Sequence, residues 1–408
     1  MRSVTEHLEL LLAGVEPLSP IEVRLGEARG CVLAETVTAP WPLPQFDNSS
    51  MDGYAVRTDD LLAATEAEPI ELDVVADLPA GHRPTESVGR GQAIRIMTGA
   101  PMPDGADSVV PVEATNGGIR VVVISAPAIR GAHIRRAGED VATGATVLEA
   151  GTVLGPRHVA LLGAVGHGRV AVHPRPRVVI LTTGDELVEP GNELAPGQIC
   201  DSNGPTLAAA AWEAGAVTFR VGPVADDAEL LWRTLEDQLV RADLVVTTGG
   251  VSAGAYDTVK EVLSKLGTVE FIKVAMQPGM PQGYGWLGDD RVPIFTLPGN
   301  PVSAYVSFEV FVRPVIRRML GYSAILRPIV GARCQAEIKS PADRTQFVRA
   351  NLEVVDGAYV VEPVGGHGSH LIGGLANSNS LIIVAPETTS VAVGEYVRVM
   401  RLDVAGLS

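Results

Sequence analysis

The chain has 408 residues and a net charge of −16, from 32 Lys+Arg against 48 Asp+Glu. That length predicts two to four domains with ample buried core, and the acidic balance excludes a general nucleic-acid binder, which needs a cationic surface. Cys31, Cys200 and Cys334 lie far apart without a CxxC pair, which excludes a disulfide framework and a zinc ribbon and points to a reducing compartment.

The opening residues, MRSVTEHLELLLAGVEPL, place Val4, Leu8, Leu11, Leu12 and Val15 at helical spacing with Glu6 and Glu9 between them. This predicts an amphipathic docking helix rather than an export signal. No apolar run reaches the roughly 18 residues of a membrane span, so the expectation is a soluble cytoplasmic protein. From Pro40 to Leu148 the chain is rich in Gly and Pro. Its short β-branched runs, IELDVV (70–75), SVVPVE (108–113) and IRVVVIS (119–125), predict an all-β module. The flanks, 1–39 and 149–176, mix helix and short strands, which predicts that residues 40–148 are inserted into a discontinuous α+β domain.

From Arg177 the texture becomes alternating. VVILTT (178–183), VTFRVG (217–222), DLVVTTGG (243–250), residues 268–274 and VPIFTLPGN (292–300) read as strands. Helical stretches lie at 204–215, 227–241, 255–266 and 301–320. This predicts βαβ units and a buried, doubly wound parallel sheet over 177–326. The segment 327–408 returns to short strands, including QFVRANLEVV (346–355) and EYVRVMRL (395–402), and reads as a small antiparallel sheet or barrel.

Ligands of open parallel sheets bind beyond the carboxyl ends of the strands. There this chain places TTGDEL (182–187), GPVADD (222–227), TTGGVSAGAYD (247–257) and LPGNPVS (297–303). Gly249 and Gly250 let backbone N–H groups approach an anion, and Ser252 and Ser303 add hydroxyls. Asp185, Glu186, Asp226, Asp227 and Asp257 can hold Mg²⁺, a hard cation that prefers oxygen ligands and bridges to phosphates. Each loop taken singly is also compatible with a plain strand–helix turn or a helix start. Their recurrence along one sheet edge favours a phosphoryl or nucleotidyl site. Asp47 and Asp52 in QFDNSSMDGYAV (45–56) form a further acidic cluster. His367 and His370 lack a third ligand and read as loop residues, and Cys200 reads as a small core residue. No GxGxxG, P-loop, HExxH or GxSxG motif is present.

Taken in order, QFDNSSMDGYAVR (45–57), IMTGAPMPDGADSVVPVE (96–113), RRAGEDV (135–141), TTGDEL, DSNG (201–204), TTGGVSAGAYD and LPGNPVSAYVSFEVFVRP closely resemble the molybdopterin molybdenumtransferase family. This is the molybdenum insertase called MoeA in bacteria and represented by the C-terminal part of gephyrin in animals. The resemblance spans nearly the whole chain. It implies a molybdopterin-adenylyltransferase-like central α/β domain, an elongated inserted β domain, a C-terminal β-barrel and a homodimer with a shared cleft. The implied reaction inserts molybdate into adenylylated molybdopterin with Mg²⁺-dependent release of AMP. The implied partners include a molybdopterin adenylyltransferase and molybdoenzymes, with no nucleic acid and no membrane.

By resemblance, Asp52, Asp140, Glu186, Asp226 and Asp257 occupy the family's functional acidic positions, with Glu186, Asp226 and Asp257 as the Mg²⁺ set. Thr183, Gly184, Asp185, Gly249, Gly250 and Ser252 line the substrate loops. Lys273, Arg344, Arg349, Ser303 and Ser369 fall at or near the basic and hydroxyl positions suited to molybdate and the pterin phosphate, and Pro298 and Pro301 shape the loop between them. One departure stands out: the family's KPGKP segment reads QPGMP here, with Gln277 and Met280 in place of lysines. That change supports the alternative of a catalytically weak paralogue that binds molybdopterin or docks partners. Nucleotidyl transfer on a related substrate is the other alternative.

Overall fold

The computed structural model describes residues 1–249, 256–366 and 368–402, with the side chains of 256–258 and 260 left out. The expected N-terminal helix forms over Val4–Ala13. Ser3 caps it, its hydroxyl accepting from the Glu6 N–H at 3.1 Å while the Glu6 carboxylate accepts from the Ser3 N–H at 2.9 Å. Its buried residues are His7 and Leu11. Leu11 packs into the central core, and the His7 ring meets Phe311 edge-on at 4.8 Å. Strand Arg169–His173 lies between Ile21–Arg24 and Val32–Leu33 in one antiparallel sheet, and Val37–Thr38 pairs with Thr146–Leu148. Segments on both sides of residues 40–145 therefore share hydrogen bonds.

Between them the chain builds a five-stranded sheet in the order Ser108–Pro111, Gly53–Val56, Gln92–Ile96, Ile70–Leu78, Val121–Ile124. Its two faces bury separate cores, one around Tyr54, Leu72 and Ile124, the other around Ile94, Ile96 and Val109.

The central sheet has six strands in the order Val217–Val224, Arg177–Thr183, Leu244–Thr248, Val292–Leu297, Pro281–Leu287, Gly267–Lys273. Alternate residues of its inner strands face opposite cores. Val178, Ile180, Val246 and Phe295 pack under the Asn203–Glu213 helix and the continuous helical run from Pro301 to Met319, while Val179, Leu181, Val245 and Ile294 pack under the Ala228–Leu239 and Tyr256–Leu266 helices. The sheet is thus doubly wound.

It is mixed rather than all parallel, which corrects the expectation. The first four strands are parallel, and Pro281–Leu287 and Gly267–Lys273 are antiparallel additions. The PQGYGWL strand was not among the expected ones, and Pro and Gly are depleted in strand interiors. Its glycines are instead required by close approach: a Cβ on Gly285 would lie 1.9 Å from the Thr268 carbonyl oxygen.

The C-terminal region closes as the expected barrel. Thr345–Val355, Ala358–Pro363, Ile329–Cys334, Tyr396–Arg401 and Ser380–Val384 form a ring, with the last strand pairing back to the first. The short strand Met276–Gln277, from the central domain, adds to it in parallel at Thr345–Gln346. Among the described residues no helix is long and apolar enough to cross a membrane.

Candidate functional site

The loops at the carboxyl ends of the central parallel strands are knitted by buried polar groups. Thr182 donates its hydroxyl to Asp201 at 2.9 Å, and the other Asp201 oxygen accepts from the Gly204 N–H at 3.0 Å. Asn203 donates to the Gly299 carbonyl at 2.7 Å and to the Thr248 hydroxyl, which in turn donates to the Pro298 carbonyl at 2.9 Å. These bonds join the DSNG, TTGG and LPGN loops. Asp201, Asn203 and Thr248 were not singled out from the sequence, although DSNG was visible as a motif.

Gly249 sits so close to Thr183 that a Cβ there would lie 2.2 Å from the Thr183 carbonyl oxygen, and its φ of +98° is one that glycine adopts without strain. Thr183 is buried, and its hydroxyl has no partner among the described residues.

Three acids meet at this edge. The Asp226 N–H donates to the Asp185 carboxylate at 3.0 Å. Burial pushes the half-buried Asp226 carboxyl above the usual carboxylate range, and the charges of Asp185 and Glu186 add to that. Asp227 is a helix cap, its carboxylate accepting from the Leu230 N–H at 2.8 Å. Gly250 and Ser252 lie outside the described residues, as does the side chain of Asp257, the second residue of the Tyr256–Leu266 helix. Among the described residues no three acidic, histidine or cysteine groups enclose a metal ion by themselves. Mg²⁺ does not require that, since it takes one or two carboxylates and completes its shell with water and substrate phosphate; Glu186 and Asp226 fit this pattern.

The upstream acids form a second group. Asp52 is exposed, and one carboxylate oxygen accepts from both the N–H and the hydroxyl of Thr98, at 2.7 and 2.8 Å. The Thr98 bonds, backbone first, lower its pKa and keep it ionised. Thr98 is a residue that sequence reasoning missed, though IMTGAP carries it. Asp140 is exposed on the RRAGEDV loop. That loop is tied to the 43–49 segment by the Asp140 N–H to the Leu43 carbonyl (3.0 Å) and by Asp47, which accepts from Arg136 and from the Ala137 N–H. Asp47 therefore braces the loop that carries Asp140. Among the described residues no hydrogen bond or ion pair joins this group to the acids of the central sheet.

A third group lines a cavity of about 170 Å³ between the central domain and the barrel. Gln277, Pro278 and Val302 come from one side, Glu337, Phe347, Arg349 and Gly366 from the other, so the lining carries one cation and one exposed carboxylate. Arg349 is 4 % exposed. Its guanidinium donates to the carbonyls of Leu371, Gly366 and Gly368 and meets no carboxylate among the described residues, and burial lowers its pKa. The Val302 N–H donates to the Ser369 carbonyl at 3.0 Å, which brings Ser369 beside the buried Ser303 and the Pro301 helix start. Lys273 is exposed at the end of its strand and Arg344 is half-buried; neither they nor Met280 line the cavity. Of the two lost lysine positions, only 277 faces Arg349's cavity.

Residues 2–166 match the MoeA N-terminal region (domain I and II), residues 179–318 a probable molybdopterin binding domain, and residues 316–402 the MoeA C-terminal region (domain IV). The chain is 45 % identical over 408 residues to molybdopterin molybdenumtransferase 2 of Mycobacterium tuberculosis (strain H37Rv), covering 98 % of this chain and all of that protein.

The chain belongs to the molybdopterin molybdenumtransferase family.

Molybdopterin molybdenumtransferase 1 of the same organism is 41 % identical over 422 residues, covering 98 % of this chain and 99 % of its own. The crystal structure of the molybdopterin biosynthesis MoeA protein from Pyrococcus horikosii superimposes with a TM-score of 0.84 at 32 % identity, covering 98 % of this chain and 99 % of that one. Curated members of the family are named as transferases, and the family places this chain in molybdenum cofactor biosynthesis.

Proposed function

We propose that the protein inserts molybdate into adenylylated molybdopterin and releases AMP in a Mg²⁺-dependent step. The observation that carries this reading is Asp226, half-buried beside Asp185 and Glu186 at the ends of parallel strands, with its carboxyl raised by burial and by their charge. Such a cluster favours binding of a cation. Mg²⁺ held by Glu186, Asp226 and, by family resemblance, Asp257 would neutralise charge on the phosphoanhydride and its leaving group.

The protein's own groups do the positioning. The Thr183 hydroxyl, without a partner among the described residues, can donate to a phosphate oxygen, and Gly249 lets the backbone come close to it. Asp201 and Asn203 hold three of the loops in register. Arg349, a buried cation that among the described residues is held by carbonyls, suits the molybdate dianion, with Ser303 and Ser369 beside it. Lys273 and Arg344 act at longer range on the approach.

The isolation of Asp52 and Asp140 from the central acids supports a homodimer in which one protomer's β module completes its partner's cleft. In this reading residues 40–148 are an elongated inserted domain, 1–39 with 149–176 the discontinuous one, 177–326 the molybdopterin-binding domain and 327–408 the barrel. The protein works in the cytoplasm between a molybdopterin adenylyltransferase and the molybdoenzymes. The test is AMP release from adenylylated molybdopterin with molybdate and Mg²⁺. Asp52→Ala and Asp226→Ala homodimers are expected to be poor and their heterodimer to recover activity. No AMP release by the wild type under any molybdate concentration would refute the reading. Gln277 favours a second reading, a molybdopterin-binding paralogue with weak turnover, and that is the outcome if the substrate binds but is not cleaved.

A further inference from the structure

Away from the loops, the connection from the central helical run to the barrel passes through Arg327, whose side chain is 1 % exposed. Its guanidinium binds the Glu309 carboxylate in a fork, at 2.8 and 3.0 Å, and donates to Glu213 at 2.7 Å and to the Leu402 carbonyl at 3.1 Å. Each partner leads back to the site. Glu309 lies in a π-helical turn, Phe308–Val312, within the same continuous helix that starts with Pro301, Val302 and Ser303. π-Turns in helices are frequent at functional sites. Glu213 ends the helix whose first residue, Asn203, holds the Gly299 carbonyl.

Leu402 follows the last barrel strand, and from it a ladder runs to Arg349. The Leu402 N–H donates to the Asn379 carbonyl at 2.9 Å, and the Asn379 N–H donates to the Ala350 carbonyl at 3.2 Å, one residue from Arg349. One guanidinium thus joins both helices that carry site loops to the strand that carries the cavity's cation.

We infer that Glu213, Arg327 and Glu309 form a positioning unit that sets how closely Arg349 approaches Val302 and Ser303, and so tunes the cavity's affinity for an oxyanion. A buried ion network is a weak source of net stability but a strong source of geometric specificity, because its forked bonds admit one arrangement. Around it the interface combines apolar packing of Phe347, Leu381 and Met400 into the central core with a few backbone bonds, Val302 to Ser369, Thr345 to Ala275 and the Met276–Gln277 pairing with Thr345–Gln346. Contiguity alone does not establish coupling; a measured interaction between the two places does.

The inference rests on the molybdate reading of the cavity, and the test separates the two. Glu213→Gln is the variant of choice, because Glu213 is 43 % exposed and its neutral isostere leaves Glu309 paired with Arg327; Arg327→Ala would leave the buried Glu309 with only its longer pair to Arg313 among the described residues. Glu229→Gln, which removes an exposed pair with Arg233, is the control. In the full-length protein, Glu213→Gln is expected to raise the half-saturating molybdate concentration about five- to tenfold, the low end of typical couplings between sites. The half-saturating adenylylated molybdopterin concentration and the maximal rate should hold, and the control should match wild type. Hydrogen exchange at the Val302 amide should quicken in Glu213→Gln only. In an Arg349→Met background, Glu213→Gln should have no further effect on molybdate titration.

Unchanged Val302 exchange overturns the positioning role whatever molybdate does. Independent, multiplicative effects of the two substitutions overturn it as well. If Arg349→Met itself leaves molybdate titration unchanged, the oxyanion reading fails, and the exchange measurement alone then decides whether the unit positions this interface.

Discussion

Gln277→Lys restores the charge that the cavity opposite Arg349 has lost relative to the family pattern, and its effect can be sized. Gln277 lines the cavity and Met280 does not. A lysine at 277 would bring an ammonium to a space of about 170 Å³ whose lining already holds the Arg349 guanidinium and, not ion-paired with it, the Glu337 carboxylate. Without an anion, the two cations repel, by about 4 kcal/mol if they come within 4 Å at a near-surface dielectric. The flexible lysine stem relieves most of that by turning out to solvent.

With the molybdate dianion bound, the ammonium gains a charge-assisted bond of about 1.5–3 kcal/mol, which corresponds to roughly ten- to a hundredfold tighter binding. The assay is AMP release at fixed adenylylated molybdopterin and Mg²⁺ with molybdate titrated. Gln277→Lys should lower the half-saturating molybdate by that factor, Met280→Lys should shift it little, and neither should change the concentration dependence on adenylylated molybdopterin. Superimposed curves for wild type and Gln277→Lys, or a larger shift from Met280→Lys, would show that the oxyanion does not bind in this cavity.

Arg349→Met should raise the half-saturating molybdate concentration by roughly ten- to a hundredfold, the loss of one charge-assisted bond of about 1.5–3 kcal/mol, while thermal unfolding shows that the fold persists. Asp226→Asn should leave the midpoint of thermal unfolding equal or higher, because it removes a repelled, partly buried charge, while AMP release falls. Mg²⁺ should raise the midpoint of wild type more than that of Asp226→Asn, and equal shifts would argue against a metal role. His7 is buried with its pKa lowered to about 4 by burial. The unfolded chain therefore takes up the proton first as pH falls, and stability that is complete above about pH 6.5 is lost on the way to pH 4, by about 3 kcal/mol in total. His7→Leu should flatten the denaturation midpoint over that range, and parallel profiles for the two proteins would refute this. Gly285→Ala should destabilise by at least 1–3 kcal/mol in chemical denaturation, the usual scale of overpacking, because its methyl would strike the Thr268 carbonyl.

Features with a local signature were legible in the sequence. The helical spacing of Val4, Leu8 and Leu11, the apolar strands at 178–183 and 244–248, and the Gly-rich turns after them obey short-range rules. The Asp185–Asp226 edge followed from where parallel strands end. Pro281–Leu287 was hidden because its two glycines serve tight strand contacts, and glycine for close approach is indistinguishable in sequence from glycine for a turn. Thr98 became visible only when strand pairing set it beside Asp52, 46 positions away. Arg349 carried no local pattern at all: its partners are backbone carbonyls 17 to 22 residues downstream, and carbonyls have no residue type. Family resemblance was the only route to it from the sequence.

Two of the buried arginines, Arg327 and Arg349, suggest how an acidic chain could hold an anion. At a net charge of −16 the protein's overall field opposes the approach of molybdate and of phosphates. Binding must then come from cations close to the ligand and shielded from water, where they are worth more than at the surface. Both Arg327 and Arg349 are buried, but their surroundings differ in kind. At Arg327, burial acts against the charge and the bonds to Glu309 and Glu213 outweigh it, so its pKa is raised and its charge is already matched. At Arg349 burial is unopposed and the carbonyls of Gly366, Gly368 and Leu371 orient the guanidinium without cancelling it. A buried cation given dipoles instead of a counter-charge is left with attraction to spend on an anion, whereas one given two carboxylates is committed to structure. On the proposed function, that difference is why oxyanion binding falls to Arg349 and positioning to Arg327, and it makes the measured coupling between them the quantity on which both proposals turn.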